Sequence, residues 1–279
     1  MSEIPKVIHY CWFGGNELPD MAKKCISSWK TYFPDYEIKE WNETNFDVNC
    51  CLYVREAYEE KKWACVSDYA RFWILYNYGG IYFDTDVEVI ASLDDIISHG
   101  PYMGIERSTQ TGFDGKRRFV KKVNPGLGIA AFPKMPIYAE ILSEYSKRHF
   151  KMSDGTIDIT TVVEHVTNIL KKHGYCDPDE INIVGGISIY PFDFFGPLDY
   201  TTGKMNKTNN TRTIHWYSST WFTRGQAIEK KIIQWSSHFG KASHYIERIS
   251  TFPIRVFNKF TQLGVKNAAK FIVKKIERK

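Results

Sequence analysis

The sequence predicts an α/β fold in which a mixed, mainly parallel sheet is flanked by helices. Extended apolar runs alternate with helical patterns over the first 90 residues, and this β-α-β order is typical of parallel sheets. A chain of 279 residues is also long enough to bury one substantial core. We therefore expect one main domain.

The first β-α-β unit is the clearest. Residues 6–13 are β-branched and aromatic, which predicts a buried strand that ends at the following pair of glycines. Residues 18–32 have a helical pattern, and residues 36–41 alternate between apolar and polar side chains as a second strand should. The chain therefore begins with a strand, a helix and a second strand.

A second helical region leads to the third strand. Residues 53–62 and 64–78 both have helical patterns, and in the second range apolar side chains recur at i, i+3, i+4 and i+7. Gly79 and Gly80 end this helix. A short strand over residues 81–83 then leads directly into Asp84, and extended backbone resumes at residues 87–90. Two carboxylates are therefore expected at the end of a strand.

The remainder of the chain has weaker patterns. Further strands are predicted at residues 102–105, 127–132 and 187–190, and further helices at 136–148 and 159–173. Residues 108–122 are polar and basic with two glycines, and we expect a surface loop there.

Charge is distributed unevenly. Residues 241–279 contain ten Lys or Arg against two Glu, so residues 1–240 carry 27 basic against 30 acidic side chains. We therefore expect a main domain over residues 1–240 and a basic, amphipathic C-terminal helical extension over 241–279. The chain contains no apolar stretch long enough to span a bilayer and no secretory leader pattern, so we expect a cytoplasmic protein.

The Asp84-Thr85-Asp86 segment carries the most specific chemistry. Two carboxylates one residue apart at the end of a buried strand raise each other's pKa unless a cation compensates them. Mn²⁺ or Mg²⁺ prefers oxygen ligands and also binds diphosphate oxygens. A metal–diphosphate site is one interpretation, and an ordinary surface turn is the alternative for this motif taken alone.

Two other segments could belong to the same site. Asp68 and Arg71 share one face of the helix before Asp84, where they could form an intrahelical ion pair or bind a ligand. Residues 213–215 are predicted to end a strand at His215, whose imidazole could complete a metal shell or serve only the core.

Three segments together resemble glycosyltransferase family 32, the Asp-x-Asp sugar transferases that include bacterial capsule and polysaccharide enzymes. They are IPKVIHYCWFGG from Ile4, SDYAR from Ser67 and GGIYFDTD from Gly79. The similarity returns at residues 189–200 and 215–221. The resemblance implies a GT-A type fold, a nucleotide-sugar donor and retention of anomeric configuration.

The resemblance also implies roles for single residues. Trp12 would lie against the base, Asp68 and Arg71 would hold the donor sugar and phosphate, and Asp84 would contact ribose or sugar. Mn²⁺ or Mg²⁺ would be bound by Asp86 and His215. Ser219 and Trp221 would close the donor site. No nucleophile is assigned, because Glu106 and Asp158 are equivalent candidates at this level.

The substrates follow from the bacterial relatives only. We expect transfer of hexose from UDP-galactose or a related UDP-hexose to a polysaccharide or a lipid-linked oligosaccharide. The alternatives are a transferase that glycosylates a protein, or a non-catalytic nucleotide-sugar-binding partner of a membrane assembly. A phosphohydrolase is disfavoured because no downstream Lys and acid cluster is present.

The basic C-terminal segment interleaves apolar and cationic residues, a pattern that suits the anionic inner face of a membrane. A helix docked on the main domain is the alternative. Nucleic acid is not expected, because the aromatic residues here are not arrayed for base stacking.

Overall fold

A computed structural model describes residues 3–111, 117–158, 160–218, 224–237, 239, 245–247 and 249–254. The chain divides into two compact units. The first unit contains Met1–Arg107, Val120–Asp199 and Met205–Ser218, and the second contains Ser108–Phe119, Tyr200–Lys204 and Ser219–Lys279. The domain limits predicted from the charge distribution stay a prediction.

Ten strands are described. They are β1 (Val7–Cys11), β2 (Glu37–Trp41), β3 (Gly80–Tyr82), β4 (Val87–Val89), β5 (Tyr102–Thr111), β6 (Arg117–Asn124), β7 (Ile129–Ala131), β8 (Asn182–Val184), β9 (Ile187–Tyr190) and β10 (Thr213–His215).

Eight α-helices and one 3-10 turn accompany them within residues 3–236, and the described residues 245–247 and 249–254 are also helical. The helices are α1 (Asp20–Tyr32), α2 (Leu52–Glu59), α3 (Trp63–Tyr78), α4 (Asp94–Ser98), α5 (Pro136–Ser146), α6 (Val162–Lys172), α7 (Phe192–Phe195) and α8 (Arg224–Ser236), and the 3-10 turn is Pro125–Leu127. No helix in the described ranges is long and apolar enough to cross a membrane.

The main sheet is mixed. Its order is β2-β1-β3-β7-β5-β9-β8, and β6 pairs with β5. Strand β1 is parallel to both β2 and β3, and β5 is parallel to β9. Strand β7 is antiparallel to β3 and β5, and β8 is antiparallel to β9. The predicted α/β class with helices around a mixed sheet is confirmed.

A buried histidine joins the central strands to the end of α3. His9 on β1 accepts a hydrogen bond from Trp41 Nε1 at Nδ1 (3.1 Å), and its Nε2 lies 3.1 Å from the Gly79 carbonyl oxygen. Only a neutral ring with its proton on Nε2 satisfies both partners. Burial lowers the pKa of His9 to about 4, which keeps this tautomer neutral. The junction before β3 is thereby fixed.

The Gly79-Gly80 junction requires glycine for backbone reasons. Both residues have positive φ, at 66° and 96°. A Cβ on Gly79 would lie 2.8 Å from Pro133 Cδ, and one on Gly80 would lie 2.6 Å from the Val7 carbonyl oxygen. The chain can therefore turn from α3 directly into β3 only because these two residues have no side chains.

The prediction of a surface loop over residues 108–122 is wrong for most of these residues. Strand β5 continues to Thr111 and β6 begins at Arg117, and the two strands pair. Ladder hydrogen bonds are available to any residue except proline, so a polar segment can extend a strand without an apolar pattern. The predicted strand over 127–132 also begins later, at Ile129, because Pro125–Leu127 forms the 3-10 turn.

Candidate functional site

The two aspartates occupy the short connection between β3 and β4. Phe83 N donates to the His9 carbonyl oxygen (3.1 Å), which prolongs the pairing with β1, and Val87 N donates to the Asp84 carbonyl oxygen (3.0 Å) in a tight turn. Because β1 and β3 are parallel, Trp12 and Asp84 follow strands that end at the same edge of the sheet. This edge is where open α/β sheets bind ligands.

A separate two-stranded ladder brings His215 to the aspartates. Strand β10 is antiparallel to β4, with His215 opposite Val87, and Trp216 N donates to the Asp86 carbonyl oxygen at 3.0 Å. Backbone pairing therefore joins segments about 130 residues apart in sequence. The predicted strand end at His215 is observed.

Asp86 is held on both of its carboxylate oxygens. His215 Nε2 lies 2.9 Å from Oδ1. Ser218 donates to Oδ2 from its backbone N at 2.7 Å and from its hydroxyl at 2.9 Å. Burial alone would raise the pKa of Asp86, but His215 and the Ser218 donors outweigh it and lower that pKa well below its usual range. Asp86 is therefore an anion at neutral pH.

Asp84 belongs to a different network. Its Oδ1 lies 3.2 Å from Arg71 Nη2 and accepts a hydrogen bond from the Tyr82 hydroxyl at 3.1 Å. Arg71 Nη2 also contacts Asp68 Oδ1 at 2.8 Å, so the guanidinium bridges two carboxylates. The Arg71 side chain is only 4% exposed. The predicted intrahelical ion pair therefore exists and also extends to Asp84.

Burial gives the acidic side chains of this network unusual pKa values. Burial raises the pKa of Asp84 against the opposing effects of Arg71 and His215. It also raises the pKa of Asp68 to about 6, although Arg71 acts against it. Carboxylates with shifted pKa values that lie close together near a sheet edge are typical of ligand sites. A bound cation or a ligand that donates hydrogen bonds can stabilise their charged form.

The structure adds contacts around Glu106, a candidate from the sequence, that the sequence did not indicate. Glu106, which follows a predicted strand, accepts hydrogen bonds from Asn124 Nδ2 at 2.7 Å and from the Tyr217 hydroxyl at 3.3 Å. The Tyr217 ring packs edge-on against His215, with ring centroids 4.1 Å apart. Tyr217 has φ 48°, an uncommon conformation for a non-glycine residue. That positive φ lies next to Ser218, but no sequence pattern predicts it.

Gly126 lies close to the Asp84 carboxylate. A Cβ on Gly126 would lie 2.3 Å from Asp84 Oδ2, and Gly126 N donates to Asn124 Oδ1 at 2.7 Å. The 3-10 turn thus brings backbone against the carboxylate. The sequence around Asn124-Pro125-Gly126 offered a turn signal that could have suggested this approach.

The structure describes only one of the three remaining residues predicted for the donor site. Trp12 is half-buried, and its Nε1 donates to the Asn16 carbonyl oxygen at 2.6 Å. Its ring lies outside the networks of Asp84 and Asp86. Ser219 and Trp221 lie outside the described residues. Ser218, their neighbour, supplies the hydroxyl that contacts Asp86, whereas Ser219 was the residue predicted to close the site.

The structure separates the two candidate nucleophiles. Asp158 Oδ2 accepts hydrogen bonds from Arg148 Nη2 at 2.6 Å and Nε at 3.0 Å, and its Oδ1 accepts one from Thr160 N. These contacts fix a turn after α5. Glu106 instead lies beside His215 through Tyr217. Burial raises the pKa of Glu106, with Asn124 and His215 opposing that rise.

Asp86 and His215 are the side chains suited to a divalent cation. Their facing atoms, 2.9 Å apart, are spaced as two adjacent ligands of an octahedral ion with bonds of about 2.0–2.1 Å would be. His215 Nε2 is 4.0 Å from Asp84 Oδ2. No group of three or more His, Cys, Asp or Glu within the described ranges forms a complete metal cage. The side chains present therefore fit a partial ligand set.

The sheet edge thus presents Asp-x-Asp with an arginine and a histidine beside the aspartates, and one family model of sugar-binding proteins matches the part of the chain that contains the aspartates and the arginine. Residues 19–103 match the family model "Glycosyltransferase sugar-binding region containing DXD motif". The resemblance predicted from the sequence is thereby confirmed.

Two curated relatives come from Schizosaccharomyces pombe. Inositol phosphoceramide mannosyltransferase 3 is 29% identical over 136 residues, covering 44% of this chain and 35% of the relative. Inositol phosphoceramide mannosyltransferase 1 is 26% identical over 164 residues, covering 54% and 46%. The chain thus spans between a third and a half of the length of these relatives.

One similar solved structure is the galactosyltransferase LgtC in complex with donor and acceptor sugar analogues. It is 16% identical and has a TM-score of 0.39, covering 81% of this chain and 92% of that chain.

Proposed function

We propose that this protein is a metal-dependent glycosyltransferase that moves a hexose from a nucleotide sugar to a glycan acceptor. The observation that carries the proposal is the ionised Asp86, paired with His215 at 2.9 Å beside the Arg71–Asp84 network. The match of residues 19–103 to a sugar-binding region supports it.

A divalent cation, Mn²⁺ or Mg²⁺, would be held by Asp86 and His215, with donor phosphates and water completing its shell. When bound, the ion offsets the negative charge that develops on the departing diphosphate. His215 and the Ser218 donors already hold Asp86 as an anion, so no proton has to leave that carboxylate when the ion enters. The neighbouring carboxylates raise the pKa of His215 against the effect of burial, so this ring would give up its proton to bind the ion as neutral imidazole.

Arg71 and its carboxylates would bind the donor rather than the ion. The guanidinium is buried, bridges Asp68 and Asp84, and cannot lose its proton, so its position is fixed before the donor arrives. Asp84 and Asp68 would accept hydrogen bonds from sugar or ribose hydroxyls. Trp12, at the same edge of the sheet, would stack on the base.

The donor we propose is UDP-galactose or a related UDP-hexose, used with retention of configuration. GDP-mannose is the second candidate, because two relatives are named as mannosyltransferases. The acceptor we propose is a polysaccharide or a lipid-linked oligosaccharide, as in capsule synthesis. The relatives' names, which specify inositol phosphoceramide, favour a lipid-linked acceptor over a protein.

A panel of nucleotide sugars tests the proposal. Purified protein would be incubated with UDP-galactose, UDP-glucose, their N-acetyl derivatives and GDP-mannose, with Mn²⁺ or with chelator, and release of nucleoside diphosphate measured. We expect Mn²⁺-dependent hydrolysis of one UDP-hexose. Preferred hydrolysis of GDP-mannose would replace the proposed donor and keep the reaction class.

The matched variants are Asp86→Asn and Asp158→Asn. The first should lose turnover by at least about a hundredfold, since an amide cannot supply the charge that holds the ion, and the second should retain it. Binding of a donor without any hydrolysis or transfer would contradict the enzyme and favour the non-catalytic partner.

A further inference from the structure

The second unit contains a helix with large apolar side chains exposed to solvent. On and just after α8, Ile228 is 52% exposed, Trp235 is 56% exposed and Phe239 is 46% exposed. Ile228 and Trp235 are seven residues apart, which places them on one face of α8, and Phe239 follows the end of that helix. Trp235 and Phe239 also contact each other, with ring centroids 4.7 Å apart. The contact leaves about half of each ring in water.

A second stripe follows in the C-terminal segment. Tyr245, Ile249 and Phe252 lie at i, i+4 and i+7 in helical residues and are 69%, 74% and 64% exposed. We refer to these three side chains, with Ile228, Trp235 and Phe239, as the C-terminal apolar stripes.

Among the described residues of these helical segments, the two that are fully buried are small and polar. Ser236 and Thr251 are both 0% exposed. Their hydroxyls donate to the helix's own backbone, Ser236 to the Ile233 carbonyl oxygen and Thr251 to the Glu247 carbonyl oxygen, both at 2.8 Å. The helices therefore bury satisfied hydroxyls and expose aromatic and branched side chains. This is the reverse of a helix that only serves a soluble core.

The charge of the segment identifies what would cover the stripes. Residues 241–279 carry ten Lys or Arg and two Glu, a surplus of eight positive charges. Two copies of such a segment repel each other, so self-association is disfavoured. An anionic bilayer attracts the cations, while Trp, Tyr and Phe suit the interfacial zone between headgroups and acyl chains.

We propose that the C-terminal apolar stripes dock this protein on an anionic lipid surface. In a cytoplasmic protein this surface is the inner face of the membrane. The inference does not require the proposed sugar transfer, although it would place the protein beside a lipid-linked acceptor.

The experiment is vesicle sedimentation with the full chain. Vesicles of phosphatidylcholine alone and of phosphatidylcholine with about 30% phosphatidylglycerol would be compared in low and high salt. We expect binding to the anionic vesicles only, and weaker binding in 0.5 M NaCl because salt screens the cations.

The key variant replaces Tyr245, Ile249 and Phe252 with serine. The matched control replaces Ile157, Ile181 and Ile183, three exposed isoleucines of the first unit, with serine. We expect the first triple variant to lose at least about tenfold in vesicle affinity and the control to bind as wild type. Equal binding by all three proteins, or equal binding to neutral vesicles, would overturn the proposal.

Three further measurements keep the test independent of folding and of catalysis. Brominated lipids should quench wild-type tryptophan fluorescence, and Trp235→Phe should reduce that quenching. Light scattering should show the same mass for wild type and triple variant, and a dimer lost on substitution without vesicle binding would overturn the lipid assignment. Donor hydrolysis retained by a variant that leaves the vesicles would show that docking and sugar transfer are separable.

Discussion

Asp84 and Asp86 are neighbours in sequence but have opposite electrostatic environments. Asp86 receives donors from His215 and Ser218, which lower its pKa, whereas burial dominates for Asp84 and raises its pKa. One residue of separation turns their side chains toward different partners, because Asp84 follows β3 and Asp86 precedes β4. The charged Asp86 is therefore the side chain suited to a cation, and Asp84 to a hydroxyl ligand.

His215→Ala tests the second proposed metal ligand. Removing the imidazole leaves Asp86 with its Ser218 donors but deprives the cation of one ligand. We expect the Mn²⁺ concentration for half-maximal donor hydrolysis to rise about tenfold or more, by analogy with the loss of metal-site partners. Unchanged Mn²⁺ dependence would remove His215 from the ligand set.

Gly126→Ala tests the close approach to Asp84. The added Cβ would lie 2.3 Å from Asp84 Oδ2, so that carboxylate would have to move from its position beside Arg71. A displacement near 1 Å can cost about a hundredfold in rate, so we expect donor hydrolysis to fall at least about tenfold. Gly155→Ala is the matched control, since a Cβ there meets nothing within 4 Å. Equal activity of the two variants would contradict the role given to the turn.

Glu106→Gln tests whether Glu106 supports the site. The amide keeps the shape of the side chain but removes the charge beside His215 and Tyr217. We expect lower affinity for Mn²⁺, measured by titration calorimetry, together with slower hydrolysis. Calorimetric Mn²⁺ affinity equal to that of wild type would show that Glu106 does not act through His215.

At the residue scale the sequence predicted the acidic pair, Arg71 and His215. It did not predict Ser218 or Tyr217 as their neighbours, and the turn signal around Gly126 did not reveal which side chain the turn approaches. Those contacts arise from a positive φ and a 3-10 turn, which depend on tertiary packing rather than on side-chain periodicity. Glu106 was a candidate without a partner until its contact with Tyr217 was known.

At the scale of elements, the junction between α3 and β3 decides where the aspartates lie. Gly79 caps the helix with φ 66°, and its N donates to the Leu75 carbonyl oxygen at 2.8 Å. The sequence predicted this junction well, because paired glycines after an amphipathic helix have few other interpretations. It found the start of β5 but missed the rest of β5 and all of β6, because their polar residues lack an alternating apolar pattern.

Gly79→Ala should destabilise this junction. A Cβ there combines a left-handed backbone with contacts of 2.8 Å to Pro133 Cδ and 2.9 Å to the Ala131 carbonyl oxygen. We expect the free energy of unfolding, from urea titration, to fall by about 2–3 kcal/mol. Gly155→Ala, with φ 81° and open space, isolates the backbone contribution and should cost only about 1–2 kcal/mol. Equal losses would contradict the packing contribution.

The Arg148–Asp158 ion pair gives the turn after α5 a pH dependence. Burial raises the pKa of Asp158, but hydrogen bonds from Thr160 and Arg148 outweigh this effect and hold that pKa below its usual value of 3.8. A lowered carboxylate pKa stabilises the folded state above the unfolded pKa, and that stability is lost as pH falls through the folded value.

Asp158→Asn should therefore cost about 1–2 kcal/mol of unfolding free energy at pH 7 and progressively less below about pH 4. Urea unfolding of wild type and variant at both pH values measures the difference. A cost independent of pH would contradict the ionic origin of this stabilisation.

At the scale of the whole molecule, two separate strand pairings assemble the site. Strands β1 and β3 in the main sheet carry Trp12 and Asp84 to one edge, and the β4–β10 ladder adds His215. The α/β class followed from the order of apolar patterns. The β4–β10 pairing could not be predicted, because three-residue strands far apart in sequence leave no periodic signal.

Mn²⁺-dependent cleavage of a nucleotide sugar is the most direct test of the central claim. Release of nucleoside diphosphate would be measured for wild type with Mn²⁺, wild type with chelator, and Asp86→Asn with Mn²⁺. We predict turnover only in the first of these three samples. Equal turnover by Asp86→Asn and wild type, or turnover that chelator does not affect, would contradict a cation held at Asp86.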